Sequence, residues 1–179
     1  KVAIEQARYF GATRIRVFSF FIPDGRYAEF RGEVMDRFAA MTALAEEAGV
    51  VLCHENEARI YGEPMANCVD LLTTINSPAL RAVHDTANFL HAGEEPFPAA
   101  YEAVRPYLDY CHIKDRHGAE HRAAGEGDGR MPELFAALRA SGWDGYLSLE
   151  PHLGGGPEWF IYAARALKRC LDELGWAYE

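Results

Sequence analysis

The chain has 179 residues, a net charge of −9, and 49% apolar residues. That length suits one domain with a sizeable core, and the acidic balance argues against a nucleic-acid backbone or an anionic membrane as partner, since both need a basic surface. No apolar run approaches the roughly 18–20 residues that span a bilayer and no signal-peptide pattern opens the chain, so a cytoplasmic globular protein is expected.

The first residue is Lys1, and the helical pattern Val2–Phe10 has no capping residue before it, so part of a longer sequence is expected. Gly11 is the stop of that helix. Ala12–Phe21 reads as a strand, followed by a loop through Pro23, Asp24 and Gly25. Arg31–Ala48 is a helix with Val34, Phe38, Met41, Leu44, Ala45 and Ala48 on one side, ended by Gly49. Val50–Asn56 is the next strand. After the loop Glu57–Glu63, Pro64 opens a helix whose inward face carries Met65, Cys68, Val69, Leu72 and Ile75.

Leu80–Asp85 follows as a strand, then a loop over Thr86–Phe97 and a short helix Pro98–Tyr107. Leu108–Lys114 is a strand, Asp115–Arg130 a polar loop, and Met131–Ala140 a helix. The strand Tyr146–Glu150, the loop Gly154–Gly156 and the helix Pro157–Leu174 close the chain. The order is a helix and then five strand–helix units, which implies a parallel sheet with right-handed crossovers. Cys53, Cys68, Cys111 and Cys170 are widely spaced without any CxxC, so buried free thiols are expected. Tyr9, Phe10, Phe18, Phe20 and Phe21 are expected in the core or as an apolar pocket wall.

Four strand runs end in a group able to bind metal: Glu55, Asp85, His112 and Glu150. Taken singly, a strand-terminal carboxylate is usually a helix cap or a solvated loop residue. Four in succession, one an imidazole, are hard to obtain that way, because a half-buried carboxylate without a partner is costly. An open doubly wound sheet and a barrel both place sites at strand C-termini. Four strands donating to one point suit a closed (β/α)8 TIM barrel better. A full barrel takes about 250 residues, so residues 1–179 are read as one partial barrel domain. Three carboxylates and one histidine make an oxygen-rich site suited to Mn or Mg, with Co or Zn also compatible.

The motifs HEN (His54–Asn56), HDTANF (His84–Phe89), HIKD (His112–Asp115), GEGDG (Gly125–Gly129) and SLEPH (Ser148–His152) carry a resemblance. The chain resembles the xylose-isomerase-like TIM-barrel family of sugar and sugar-phosphate isomerases and epimerases, from the third barrel strand onward. The resemblance implies that Glu55, Asp85, His112 and Glu150 are the metal ligands and that Glu55 and Glu150 are also the catalytic acid/base pair. The first two strands of the family pattern are missing here.

The residue types fit that chemistry independently. A carboxylate removes the proton beside a carbonyl, the metal stabilises the enediolate, and a carboxylate returns the proton. Asn88, Lys114 and His152 are candidate substrate-binding residues, with loop capping an equal reading for Asn88 and a supporting role an alternative for His152. His54 and His84 precede ligands by one residue and should face away as packed, hydrogen-bonded histidines. The run Arg116, His117, His121 and Arg122 reads as a solvated loop, or as a holder for a substrate phosphate. GEGDG reads as a flexible loop or lid.

The expected partner is a small-molecule sugar or sugar phosphate, with neither nucleic acid nor membrane; a homo-oligomer stays open. Competing readings are a dehydratase acting on a polyol and a truncated barrel that binds a ligand without turnover. An apurinic-site endonuclease fits less well, because it needs a multi-zinc ligand set and a surface for DNA.

Overall fold

The computed structural model describes residues 1–23 and 25–178. Asp24, placed above in a loop, lies outside the described residues. Five parallel strands are hydrogen-bonded in the order β1 (Arg14–Val17), β2 (Val51–Glu55), β3 (Leu80–Asp85), β4 (Leu108–Ile113) and β7 (Leu147–Leu149). By compactness the chain divides into two units, Lys1–Val83 with Val104–Asp109, and His84–Ala103 with Tyr110–Glu179.

The first unit holds α1 (Val2–Tyr9), β1, α2 (Tyr27–Ala48), β2 and α3 (Met65–Ile75). β1 pairs with β2 in register from Arg14 opposite Val51 to Val17 opposite His54. β2 is buried along nearly its whole length, as a strand covered on both faces should be, whereas β1 alternates. Val34, Phe38 and Ala45 of α2 pack with Cys68, Leu71 and Leu72 of α3 and with Leu52 in one apolar core. Gly49 ends α2 in a left-handed conformation at φ 68° that costs glycine no Cβ clash. Asn76 performs the same turn at the end of α3.

In the second unit, α4 (Thr86–His91) starts where β3 ends. A helical turn at Pro96–Ala100, α5 (Tyr101–Val104), β4, α6 (Met131–Ala140), β7 and α7 (Pro157–Glu173) follow. The apolar sides of α6 and α7 bury Leu134, Phe135, Leu138, Ala166 and Leu167. β4 and β7 align Cys111 with Leu147, His112 with Ser148 and Ile113 with Leu149.

Several boundaries differ from expectation. β1 covers four residues of the expected Ala12–Phe21, because β2 offers it a ladder only from Val51 to His54. Thr86–Phe97 is not all loop: the Asp85 carboxylate accepts the Asn88 N–H at 2.9 Å and caps α4. Asp115–Arg130 contains an antiparallel hairpin, β5 (Asp115–His117) and β6 (Glu120–Arg122). Tyr9 and Phe10 are exposed rather than core and stack edge-on at 5.1 Å instead; Phe18 and Phe21 are exposed too, and Phe21 lines a pocket with Phe20, Ile22 and Phe30. Phe20 does pack against the core. All four cysteines are buried free thiols, and burial pushes the Cys53 thiol up to about 12.

Candidate metal centre

Ladder register builds the site. With His112 opposite Ser148 and Ile113 opposite Leu149, the next residues along the two parallel strands are Lys114 and Glu150. The Glu150 N–H donates to the Ile113 carbonyl at 3.3 Å, holding that register to the strand end. His112 and Lys114, two apart, project to one side. Lys114 Nζ donates to Glu150 Oε2 at 2.9 Å and lies 3.0 Å from Asp85 Oδ2. His112 Nδ1 is 3.6 Å from both of those carboxylate oxygens.

Charge is handled as burial requires. Asp85 is fully buried and Lys114 is 2% exposed, an arrangement tolerable only because each neutralises the other. Burial opposes ionisation of Asp85, but His112, the Lys114 ammonium and the Asn88 N–H outweigh it and hold the carboxyl below its ordinary range. Burial likewise works against the Lys114 ammonium, and Asp85 and Glu150 overcome it, leaving the amine above its ordinary value. Burial raises the Glu150 carboxyl, while Lys114 and His112 more than compensate, so the net shift is downward. Both carboxylates are therefore anionic at neutral pH.

The donor set fits a divalent cation. Ligands about 2.1 Å from an octahedral ion stand about 3 Å apart when adjacent and about 4.2 Å when opposite. The 3.6 Å separations of His112 Nδ1 from Asp85 and Glu150 lie between those two spacings, so a bound ion would draw the side chains a few tenths of an ångström into place. Two carboxylates and an imidazole at strand ends could hold such a metal.

In the first unit, Glu55 ends β2 opposite Val83 of β3, two residues before Asp85 on that strand. It is fully buried, and Arg16 Nη1 donates to Glu55 Oε2 at 3.0 Å. His54 hydrogen-bonds Ser19 Oγ at 3.1 Å and packs edge-on against Phe38. His84 packs between Phe89 and Tyr101; neither of its ring nitrogens has a hydrogen-bond partner among the described residues. The packed reading of both histidines stands, and the hydrogen-bonded one only for His54. Burial pushes each imidazole down to about 4.

The family model that matches the chain describes a xylose isomerase-like TIM barrel and runs over residues 1–170. The chain belongs to the xylose isomerase-like TIM barrel family. One relative, 2-epi-5-epi-valiolone 7-phosphate 2-epimerase from an Actinoplanes strain, is 33% identical over 101 residues, which is 55% of this chain and 36% of that protein. The chain thus matches only about a third of that curated relative's length. A crystal structure of a D-tagatose 3-epimerase-like protein superposes with a TM-score of 0.79 at 20% identity, over 97% of this chain and 67% of that one. The crystal structure of IOLI protein with a bound zinc atom has a TM-score of 0.74 at 17% identity, over 94% and 65%.

Within this xylose isomerase-like chain the substrate-binding candidates take different places. Lys114 bridges Asp85 and Glu150. Asn88 is half-buried and gives its backbone N–H to Asp85. His152 Nε2 stands 4.0 Å from Glu150 Oε2, at a positive φ of 41°. In the basic run, His117 pairs with Asp128 and Arg122 with Glu120. GEGDG is fastened rather than a free lid: Asp115 accepts the N–H groups of Gly127 and Gly129, each at 3.0 Å, and Glu126 accepts from Tyr162 and Arg169.

Sequence reasoning missed two residues. Arg16 partners Glu55, and an arginine at alternate positions inside RIRV was the available signal. Asp115 was read as the start of a polar loop, yet it is fully buried.

Proposed function

We propose that this chain carries the site of a metal-dependent sugar or sugar-phosphate isomerase or epimerase, with Glu55, Asp85, His112 and Glu150 as ligands of one divalent cation. The observation that carries the reading is the meeting of Asp85, His112 and Glu150, around a buried lysine, at the C-terminal ends of β3, β4 and β7. Donor atoms of Asp85, His112 and Glu150 within 4.8 Å of one another support a shared ion. Residues 1–179 are read as one domain, part of such a barrel, which the family match over 1–170 supports. The epimerase name of the Actinoplanes relative favours this chemistry.

A divalent cation held there supplies Lewis-acid polarisation of a carbonyl and its neighbouring hydroxyl. Glu55 and Glu150 are the proton-transfer pair. One carboxylate takes the proton from the carbon beside the carbonyl, the C–H electrons pass into an enediolate, and the same or the other carboxylate returns the proton. Return to the same carbon from the opposite face gives an epimer; delivery to the neighbouring carbon gives an isomer. Lys114 keeps Glu150 ionised and fixed by its 2.9 Å hydrogen bond, Asn88 is assigned to a substrate hydroxyl, and His152 faces the substrate beside Glu150. The substrate is a small sugar or its phosphate.

Incubation with ketoses and their phosphates in deuterated water with Mn²⁺ tests this. Deuterium should enter at the carbon beside the carbonyl, and Glu150→Gln or Glu55→Gln should slow its entry by about 10²-fold or more. Undiminished exchange in the Glu150→Gln protein would sink the reading.

A further inference from the structure

The β5–β6 hairpin presents two unlike faces. Asp115 is held on one by three backbone donors, the N–H groups of Arg116, Gly127 and Gly129 at 2.8, 3.0 and 3.0 Å. On the other face Arg116 and His121 stand directly opposite each other across the antiparallel ladder, so their side chains project together. The His121 ring meets the His152 ring at 5.2 Å, edge to face, and His152 in turn lies 4.0 Å from Glu150. Three nitrogen-bearing side chains from two loops thus gather on the flank of the metal centre.

Three observations mark this cluster as built for a ligand. The Nδ1 atom of His121 is buried and has no hydrogen-bond partner among the described residues, a condition native proteins rarely leave unanswered. His152 adopts a left-handed backbone at φ 41°, where a non-glycine residue is uncommon and strain gathers at functional positions. Arg116 Nε is pinned by the Gly118 carbonyl at 2.8 Å, which fixes the guanidinium while leaving its terminal nitrogens for a partner.

The sign of the cluster selects the ligand. No acidic side chain among the described residues pairs with Arg116 or His121, in a chain with a net charge of −9. Burial first, and then the neighbouring His152, Lys114 and Arg116, hold the His121 imidazole below its ordinary value against the opposing charge of Asp85. A neutral imidazole donates an N–H and guanidinium donates a fork, and together these match the oxygens of a phosphate monoester.

We propose that Arg116, His121 and His152 form a subsite for the phosphate group of a phosphorylated sugar. The assignment rests on the isomerase/epimerase reading above and narrows its substrate to the phosphorylated class. His117 and Arg122 take no part, because Asp128 and Glu120 already hold them.

Inorganic phosphate is the probe, and the imidazole signals of the seven histidines in ¹H–¹³C spectra of the full chain are the readout. Saturable shifts of His121 and His152 are expected, with His54 and His91 unmoved. Arg116→Gln and, separately, His121→Gln should weaken that binding by about tenfold or more; signal dispersion reports whether each variant is folded. No saturable response, or one that both folded variants retain, overturns the subsite. Paramagnetic broadening of His112 by Mn²⁺ in the same sample tests the metal centre separately. Loss of that broadening with phosphate binding intact sinks the metal reading and leaves the phosphate site standing; the reverse sinks the phosphate site alone.

Discussion

Lys114 donates to Glu150 at 2.9 Å while standing 3.0 Å from Asp85, so one buried ammonium answers two carboxylates, of which Glu150 is delivered by the β4–β7 ladder register. A lysine two residues past His112 thus belongs to the electrostatics of the same cluster. Its charge does part of what a bound cation would do.

Removing that charge gives a first prediction. Lys114→Met should destabilise the metal-free chain by about 3 kcal/mol, because Asp85 keeps a buried charge and loses its counter-ion. Saturating Mn²⁺ should narrow the deficit, since the cation neutralises the same oxygens. Urea denaturation of both proteins, with chelator and with metal, measures it.

Asp85→Asn separates two duties of one side chain. Asparagine caps a helix about as well as aspartate, so α4 should persist and far-UV circular dichroism should hardly change. Metal binding should fall steeply. Wild type at a hundred times its metal dissociation constant should gain about 2.7 kcal/mol over the chelated form, and the variant should gain little.

Asp70 predicts a pH dependence away from the site. Arg31 grips it with two bonds of 2.7 and 2.8 Å, and Tyr61 and Thr74 add theirs. Chiefly the Arg31 bond, against the opposing effect of burial and with help from Tyr61, holds the carboxyl below its ordinary value. A depressed folded-state value means the stabilisation is present above the unfolded value of about 3.9 and is lost as pH falls through the folded one. Asp70→Asn should cost about 1 kcal/mol at pH 7, discounted for partial exposure. The gap from wild type should close in strong acid, as denaturation curves at both pH values would record.

Asp115→Ala should release the 125–129 loop. Three N–H donors would lose their acceptor, at a cost of about 1–3 kcal/mol for each one left buried. Hydrogen exchange should then lose protection at Gly127 and Gly129. Gly127→Ala should have a similar effect, because its added Cβ would lie 2.4 Å from the Arg116 carbonyl oxygen.

The order of strands and helices, the helix stops at Gly11 and Gly49, and the four carboxylate or imidazole groups at strand ends could be read from the chain alone. Each is a local signal: a period, a cap, or a residue type at the end of an apolar run. Burial of the four cysteines was equally legible, since apolar faces predict it. The α4 helix was also encoded, by an aspartate whose carboxylate meets the N–H three residues on, but six residues give too little periodicity to detect.

The partners of those residues were set by tertiary structure. Arg16 meets Glu55, Lys114 reaches Asp85 and Glu150, and Arg116 and His121 gather against His152 because strand register and a hairpin bring distant positions side by side. Nothing in the neighbouring residues records such a meeting. Sequence spacing fixes which face a side chain takes, whereas the three-dimensional path of the backbone fixes which other charge it finds there.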